Sequence, residues 1–181
     1  MSTITNLNEL TGHYTLDPRH TRIGFVARHT MSTRVRGRFE EFEGDAYLDG
    51  DDPASSGARL TIQAASIRTG NRQRDDMLRD KFLDADGHPT LTFASTGLRQ
   101  VDRSNYQLFG DLTLRGLTRP VTLDVELTDG GDGMEGDFYA GFTASLTINR
   151  NDWGVNWNAF TAFTLSPKVT LECDVVAIRR P

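Results

Sequence analysis

Residues 106–127 read Tyr-Gln-Leu-Phe-Gly-Asp-Leu-Thr-Leu-Arg-Gly-Leu-Thr-Arg-Pro-Val-Thr-Leu-Asp-Val-Glu-Leu. Tyr106, Leu108, Leu112 and Leu114 fall on one face of an extended segment and Gln107, Asp111 and Thr113 on the other, with Phe109 out of step. After the connection 115–120, Val121, Leu123, Val125 and Leu127 alternate with Thr122, Asp124 and Glu126. A period of two marks a half-buried strand. Gly116 and Pro120 suit a tight turn and the opening of the next strand. The stretch reads as a β-hairpin with one dry face.

The same period extends outward in both directions. Downstream, Phe138, Phe142 and Leu146 mark a strand over 138–149, and Val169, Leu171, Cys173 and Val175 mark another over 169–178. Upstream lie strands at 90–98 (Leu91, Phe93, Ser95), 59–67 (Leu60, Ile62, Ala64) and 22–29 (Ile23, Phe25, Ala27, His29). A long strand over 35–48 changes apolar phase between Phe39 and Phe42. One extra residue at Glu40-Glu41, a β-bulge, would account for that. Residues 71–83 differ: they are charged, with Met77, Leu78 and Phe82 spaced for one helical face, and predict a short helix capped by Thr69 or Asn71.

Gly131, Gly133 and Gly136 match a dinucleotide fingerprint by letter. The fingerprint requires a following helix, and a strand follows here, so the run reads as a turn. Eight strands joined mostly by short turns predict an all-β, up-and-down antiparallel barrel, closed so that no edge is exposed. A barrel of this size is either filled by side chains or holds one ligand.

The chain has 181 residues and a formal net charge of −5. It suits one domain over 14–181 after a loose, polar lead-in over 1–13. The acidic balance speaks against nucleic acid and anionic membrane as partners. Arg34, Arg36 and Arg38 are the local exception, and their spacing places them on one solvated strand face. The single cysteine, Cys173, rules out an internal disulfide and alternates in phase as a small buried hydrophobe. No apolar run is long enough for a membrane helix and no secretion leader is apparent, so a soluble, cytoplasmic protein is expected.

Chemistry is sparse. His13, His20, His29 and His88 form no ligand-spaced pair, so no metal and no cofactor is expected. No nucleophile elbow or phosphate loop is present. Trp153, Trp157, Phe160 and Phe163 lie in an aromatic, Asn-containing loop that either plugs one barrel end or grips a ligand at its mouth.

Several motifs, in order, resemble the YceI-like family of polyisoprenoid-binding proteins. They begin with Tyr14-x-Leu16-Asp17-x-x-His20-Thr21-x-Ile23-x-Phe25-x-x-x-His29 and Val35-x-Gly37-x-Phe39-x-x-Phe42-x-Gly44. Ser66-Ile67-x-Thr69-Gly70, Arg74-Asp75-x-x-Leu78 and Lys81-Phe82-Leu83-Asp84 follow. Pro89-x-Leu91-x-Phe93-x-Ser95-Thr96, the central Gly110–Val121 run and Asn149-Arg150-x-Asp152-Trp153-Gly154 complete the set. The resemblance implies an extended, lipocalin-like barrel whose apolar pore holds an isoprenoid lipid or quinone tail for storage or transport. It also implies a common homodimer and brings no catalytic residues. Inward candidates are Ile23, Phe25, Phe39, Phe42, Leu112, Leu114, Phe142 and Leu146, with His29, Arg150, Trp153 and Trp157 as polar or mouth contacts. Two other readings remain: a hydrolase or isomerase of a lipophilic substrate with His20 or His29 as base, and a filled barrel that binds a protein partner.

Overall fold

The computed structural model describes residues 7–29, 34–155 and 165–181. Its strands are β1 (Gly12–Leu16), β2 (Arg22–His29), β3 (Arg34–Phe39), β4 (Phe42–Leu48), β5 (Gly57–Gln63), β6 (Ile67–Arg68), β7 (Thr90–Gln100), β8 (Asn105–Leu114), β9 (Leu117–Asp132), β10 (Phe138–Asn149) and β11 (Leu165–Arg179). All neighbouring pairs are antiparallel. The strands make eight staves of a closed barrel, because β1 and β2 run end to end along β11, β3 runs on into β4, and β5 into β6. Closure comes where β11, already paired with β10, also meets Leu16 through Ala177 and Ile23 through Cys173. The expected up-and-down barrel is therefore the fold.

Local chemistry explains how the broken staves stay in the sheet. Between β1 and β2 the backbone leaves the ladder over 17–21, yet Val176 opposite keeps its bonds. The Asp17 amide donates to the Val176 carbonyl at 2.7 Å, and the Val176 amide donates to Thr21 Oγ1 at 3.0 Å. The hydroxyl of Thr21 stands in for a missing backbone acceptor. The expected bulge at Glu40-Glu41 in one long strand is instead a break between two strands, and the extra residues lie on the facing segment: Phe39 stands opposite Ile67 and Phe42 opposite Ile62, with a 3-10 turn at Ala64–Ser66 between β5 and β6. The Glu40 amide donates to the Ser66 carbonyl and the Gln63 amide to the Glu41 carbonyl, so pairing continues while the phase shifts.

Inside the barrel, aromatic rings lie on glycines. A Cβ on Gly37 would come 2.3 Å from the Phe25 ring, and one on Gly110 2.4 Å from the Phe93 ring. The glycines leave room for rings larger than a strand face otherwise accepts, a device that pins register. Phe109, out of step in the sequence, is half-buried on the other face, beside Gly97.

The helix forms within the expected 71–83. Helix α1 (Arg72–Met77) continues as a wider π-type turn through Leu78–Phe82. Asn71 caps it, its side chain accepting from the Arg74 amide at 3.0 Å. Thr69 instead anchors the helix from outside. Its amide and hydroxyl donate to the buried Asp75 carboxylate, and its carbonyl accepts from Arg74.

Within the expected lead-in over 1–13, part of the described stretch takes regular structure. Leu7–Leu10 form a 3-10 turn with Leu10 buried, and β1 begins at Gly12. Two leucines three residues apart are too short a signal to stand out in a polar segment.

Candidate functional site: an apolar pore capped at both ends

The barrel is not filled. Two cavities of about 210 and 190 Å³ lie one above the other along its axis. Ile23, Leu60, Phe93, Leu123, Ala144 and Cys173 line both, so the cavities meet at a waist formed by six side chains from different staves. Above the waist the wall holds Phe25, Phe39, Leu112, Leu114 and Leu146, and Leu78, Phe82 and Leu83 of the helical segment close the end. Below it, Leu98, Leu108, Val125, Leu127 and Phe142 line the space, and Leu7 and Leu10 close the end.

Ionisable groups are few along this path. Among the described residues, those lining the helix-end cavity are Arg150 and Cys173. Burial pushes the Cys173 thiol up to about 11, so it stays protonated and acts as a wall atom. Arg150 is buried, and desolvation draws its guanidinium below the usual value. Its Nη1 donates to the Val155 carbonyl at 2.7 Å, its Nε donates to the Ser166 carbonyl at 3.1 Å, and its charge lies 5.6 Å from the Phe82 ring centre. At the opposite end Asp45, Asp49 and Arg59 stand at the rim of the wall. Among the described residues, no group of three His, Cys, Asp or Glu is placed to hold a metal ion. No described helix is long and apolar enough to cross a membrane.

Of the residues chosen from the sequence, Ile23, Phe25, Phe39, Leu112, Leu114, Phe142, Leu146 and Arg150 line the cavities. Two others do not. Phe42 is half-buried and packs against the core cluster. Trp153 is no mouth contact: it is 3% exposed, and its indole N–H donates to the Leu112 carbonyl at 2.9 Å. It is a wedge under the helix end, the plugging alternative for that side chain. His29 ends β2, where its backbone pairs with Leu165. Trp157 lies outside the described residues. Periodicity does not reveal the waist as a unit, although Leu60, Phe93, Leu123 and Cys173 each alternate in phase with neighbouring apolar residues.

His20, one of the bases considered for catalysis, sits outside the pore. It is 67% exposed, with Nδ1 2.7 Å from Asp17. That hydrogen bond is the leading cause that holds the Asp17 carboxyl below its usual pKa.

Residues 14–177 match the model of the YceI-like domain. The chain belongs to this family. A UPF0312 protein of Pectobacterium carotovorum is 35% identical over 163 residues, covering 90% of this chain and 83% of that one. A UPF0312 protein of Pseudomonas aeruginosa is 33% identical over the same coverage. Among solved structures, a Campylobacter jejuni YceI protein superposes with a TM-score of 0.73 at 26% identity, over 82% of this chain and 87% of that one. Burkholderia cenocepacia BcnA has the same fold at TM-score 0.81 and 23% identity, over 89% and 98% of the two chains. A polyisoprenoid-binding domain from Saccharophagus degradans shares it at TM-score 0.71 and 17% identity, over 92% and 98%.

Proposed function

We propose that this YceI-like protein binds a long-chain lipophile in its barrel pore, a polyisoprenoid or the tail of an isoprenoid quinone, and stores or carries it without chemical change. The observation that carries this reading is the pair of apolar cavities meeting at a common waist. An unbranched path suits a chain more than a compact ligand. Transfer of such a chain from water contributes about 0.8 kcal/mol per buried methylene, so few polar contacts are needed. The Saccharophagus domain, described as polyisoprenoid-binding, shares the architecture and supports the same assignment. A hydrolase or isomerase reading has less to stand on, since His20 faces solvent and the groups along the helix-end cavity are Arg150 and a protonated Cys173.

Solvent extraction of the purified protein followed by mass spectrometry tests the proposal. A stoichiometric isoprenoid lipid is expected from the wild type. Ala144→Phe, which fills the waist, should lower retention, and Phe25→Asp should abolish it. A Phe25→Asp protein with native circular dichroism and undiminished lipid would overturn the pore assignment. A homodimer and a cytoplasmic location belong to the same proposal, and light scattering and cell fractionation read them.

A further inference from the structure

The three arginines that stand out in the sequence are not alone on their face. Arg34, Arg36 and Arg38 alternate outward along β3, with Val35, Gly37 and Phe39 buried behind them. Arg34 lies directly opposite Arg28 of β2, and Arg38 directly opposite Arg68 of β6. Like charges facing each other across an antiparallel pair are destabilising, yet this sheet holds two such pairs. A shallow basin beside them is lined by Arg22, Arg36, Arg38, Arg68, Arg72 and Arg79, against Glu40, Asp75 and Asp76. Asp75 is buried and engaged by Thr69, so it offers little to solvent.

Some of this charge is neutralised locally. Glu40 serves both Arg38 at 3.0 Å and Arg68 at 3.7 Å, Glu172 lies 3.8 Å from Arg36, and Arg79 meets Asp76 and Asp80. Arg22, Arg28, Arg34 and Arg72 make no ion pair among the described residues. In a chain of net charge −5, a face this basic is a local departure, and it continues onto the segment that closes the pore. Arg72 and Arg79 border the basin while Leu78 and Phe82 of the same segment line the cavity.

We propose that this face, built from β2, β3, β6 and α1, docks the protein on an anionic lipid bilayer with the helix end of the pore beside the membrane. The spacing favours a surface over a single small anion. Successive outward arginines on a strand stand about 6.6 Å apart, and neighbouring strands about 4.8 Å, so the charges form an array rather than converge. Among the described residues, no aromatic ring lines the basin to stack a base, which sets it apart from single-strand nucleic-acid grooves. The motive for docking rests on the pore reading, since a lipophilic cargo has its reservoir in a membrane. The overall acidity of the sequence thus conceals a basic face assembled from segments far apart in the chain.

Flotation of the full chain with vesicles tests this. Binding is expected to phosphatidylcholine vesicles that contain phosphatidylglycerol, and not to phosphatidylcholine alone. It should weaken as salt rises. Arg22→Gln, Arg34→Gln and Arg72→Gln together should reduce it about tenfold or more, and these exposed, unpaired positions leave the fold's own ion pairs intact. Glu40→Gln, which removes a carboxylate from the face, should strengthen binding. Equal, salt-insensitive binding to neutral vesicles would overturn the proposal. So would weaker binding by Glu40→Gln, or capture of duplex DNA or inorganic phosphate with no vesicle binding. Docking by a protein whose solvent extract is empty would sink the pore reading and leave this inference standing, and a lipid-laden protein that does not dock would do the reverse.

Discussion

The two ends of the pore are closed by different means. At the helix end the cap is an inserted segment held by many bonds: Asp75 fixes Thr69, Arg74 returns to the Thr69 carbonyl, and Trp153 wedges beneath. Arg115 spans two elements there, its Nη1 within 3.4 Å of the Phe82 carbonyl and 3.1 Å of the Gly154 carbonyl. At the other end the cap is one 3-10 turn, tied by Tyr14 Oη to the Leu10 carbonyl at 2.7 Å, by the Gly50 amide to Thr11 and by Arg179 to the Glu9 carbonyl. Packing is therefore unequally divided. The first end is part of the core cluster; the second is a small satellite of Leu10, Tyr14, Ala140 and Ala177, so local opening there is expected to break fewer contacts.

The contrast breaks most severely at Trp153. Trp153→Ala removes a buried ring and its hydrogen bond to the Leu112 carbonyl, so urea unfolding should register a loss of about 3–5 kcal/mol. A loss below about 1 kcal/mol would deny the wedge its role. A smaller change sharpens the other end. A Cβ on Gly50 would sit 1.8 Å from the Leu7 carbonyl oxygen, so Gly50→Ala must displace the turn. We expect about 1–3 kcal/mol, with faster hydrogen exchange confined to residues 7–16 and unchanged protection in β8. Exchange that rises across the whole barrel would show the two caps to be one unit.

The smallest effect concerns the joint between the ends, where Asp17 lies between β1 and β2. Its folded pKa is depressed, first by the His20 hydrogen bond. Such a group stabilises the fold fully above its unfolded pKa of about 3.9, and the contribution fades as pH falls through the lower folded value. The stability gap between wild type and Asp17→Asn should therefore close as pH falls below about 4, through the lowered folded value. Chemical denaturation at a series of pH values reads it, and a gap that widens in acid would contradict the assignment.

Much of this molecule is legible in the sequence because a strand with one dry face repeats every two residues. The hairpin at 106–127, the change of apolar phase after Phe39 and the pore faces of Phe25, Leu112 and Leu146 all follow from that period. What stays hidden does so because of distance along the chain. The waist joins Ile23 to Cys173 across most of its length, and no local pattern announces which in-phase residues share a level of the barrel. Trp153 reads equally well as mouth or wedge until its indole finds the Leu112 carbonyl. The plug at Leu7 and Leu10 is too brief for periodicity to reveal. The basic face needs Arg22, Arg68 and Arg72 brought beside Arg36, which only the register of β2, β3 and β6 accomplishes.

The stave β11 carries a consequence for how the protein is made. It pairs with β10, β2 and β1, so it joins the late strands to the early ones. It is the last stave in the chain, so the ring cannot close until it is in place. Closing a ring across so long a stretch of chain is a slow event in folding. Any ligand present when β11 docks would be enclosed without passing either cap.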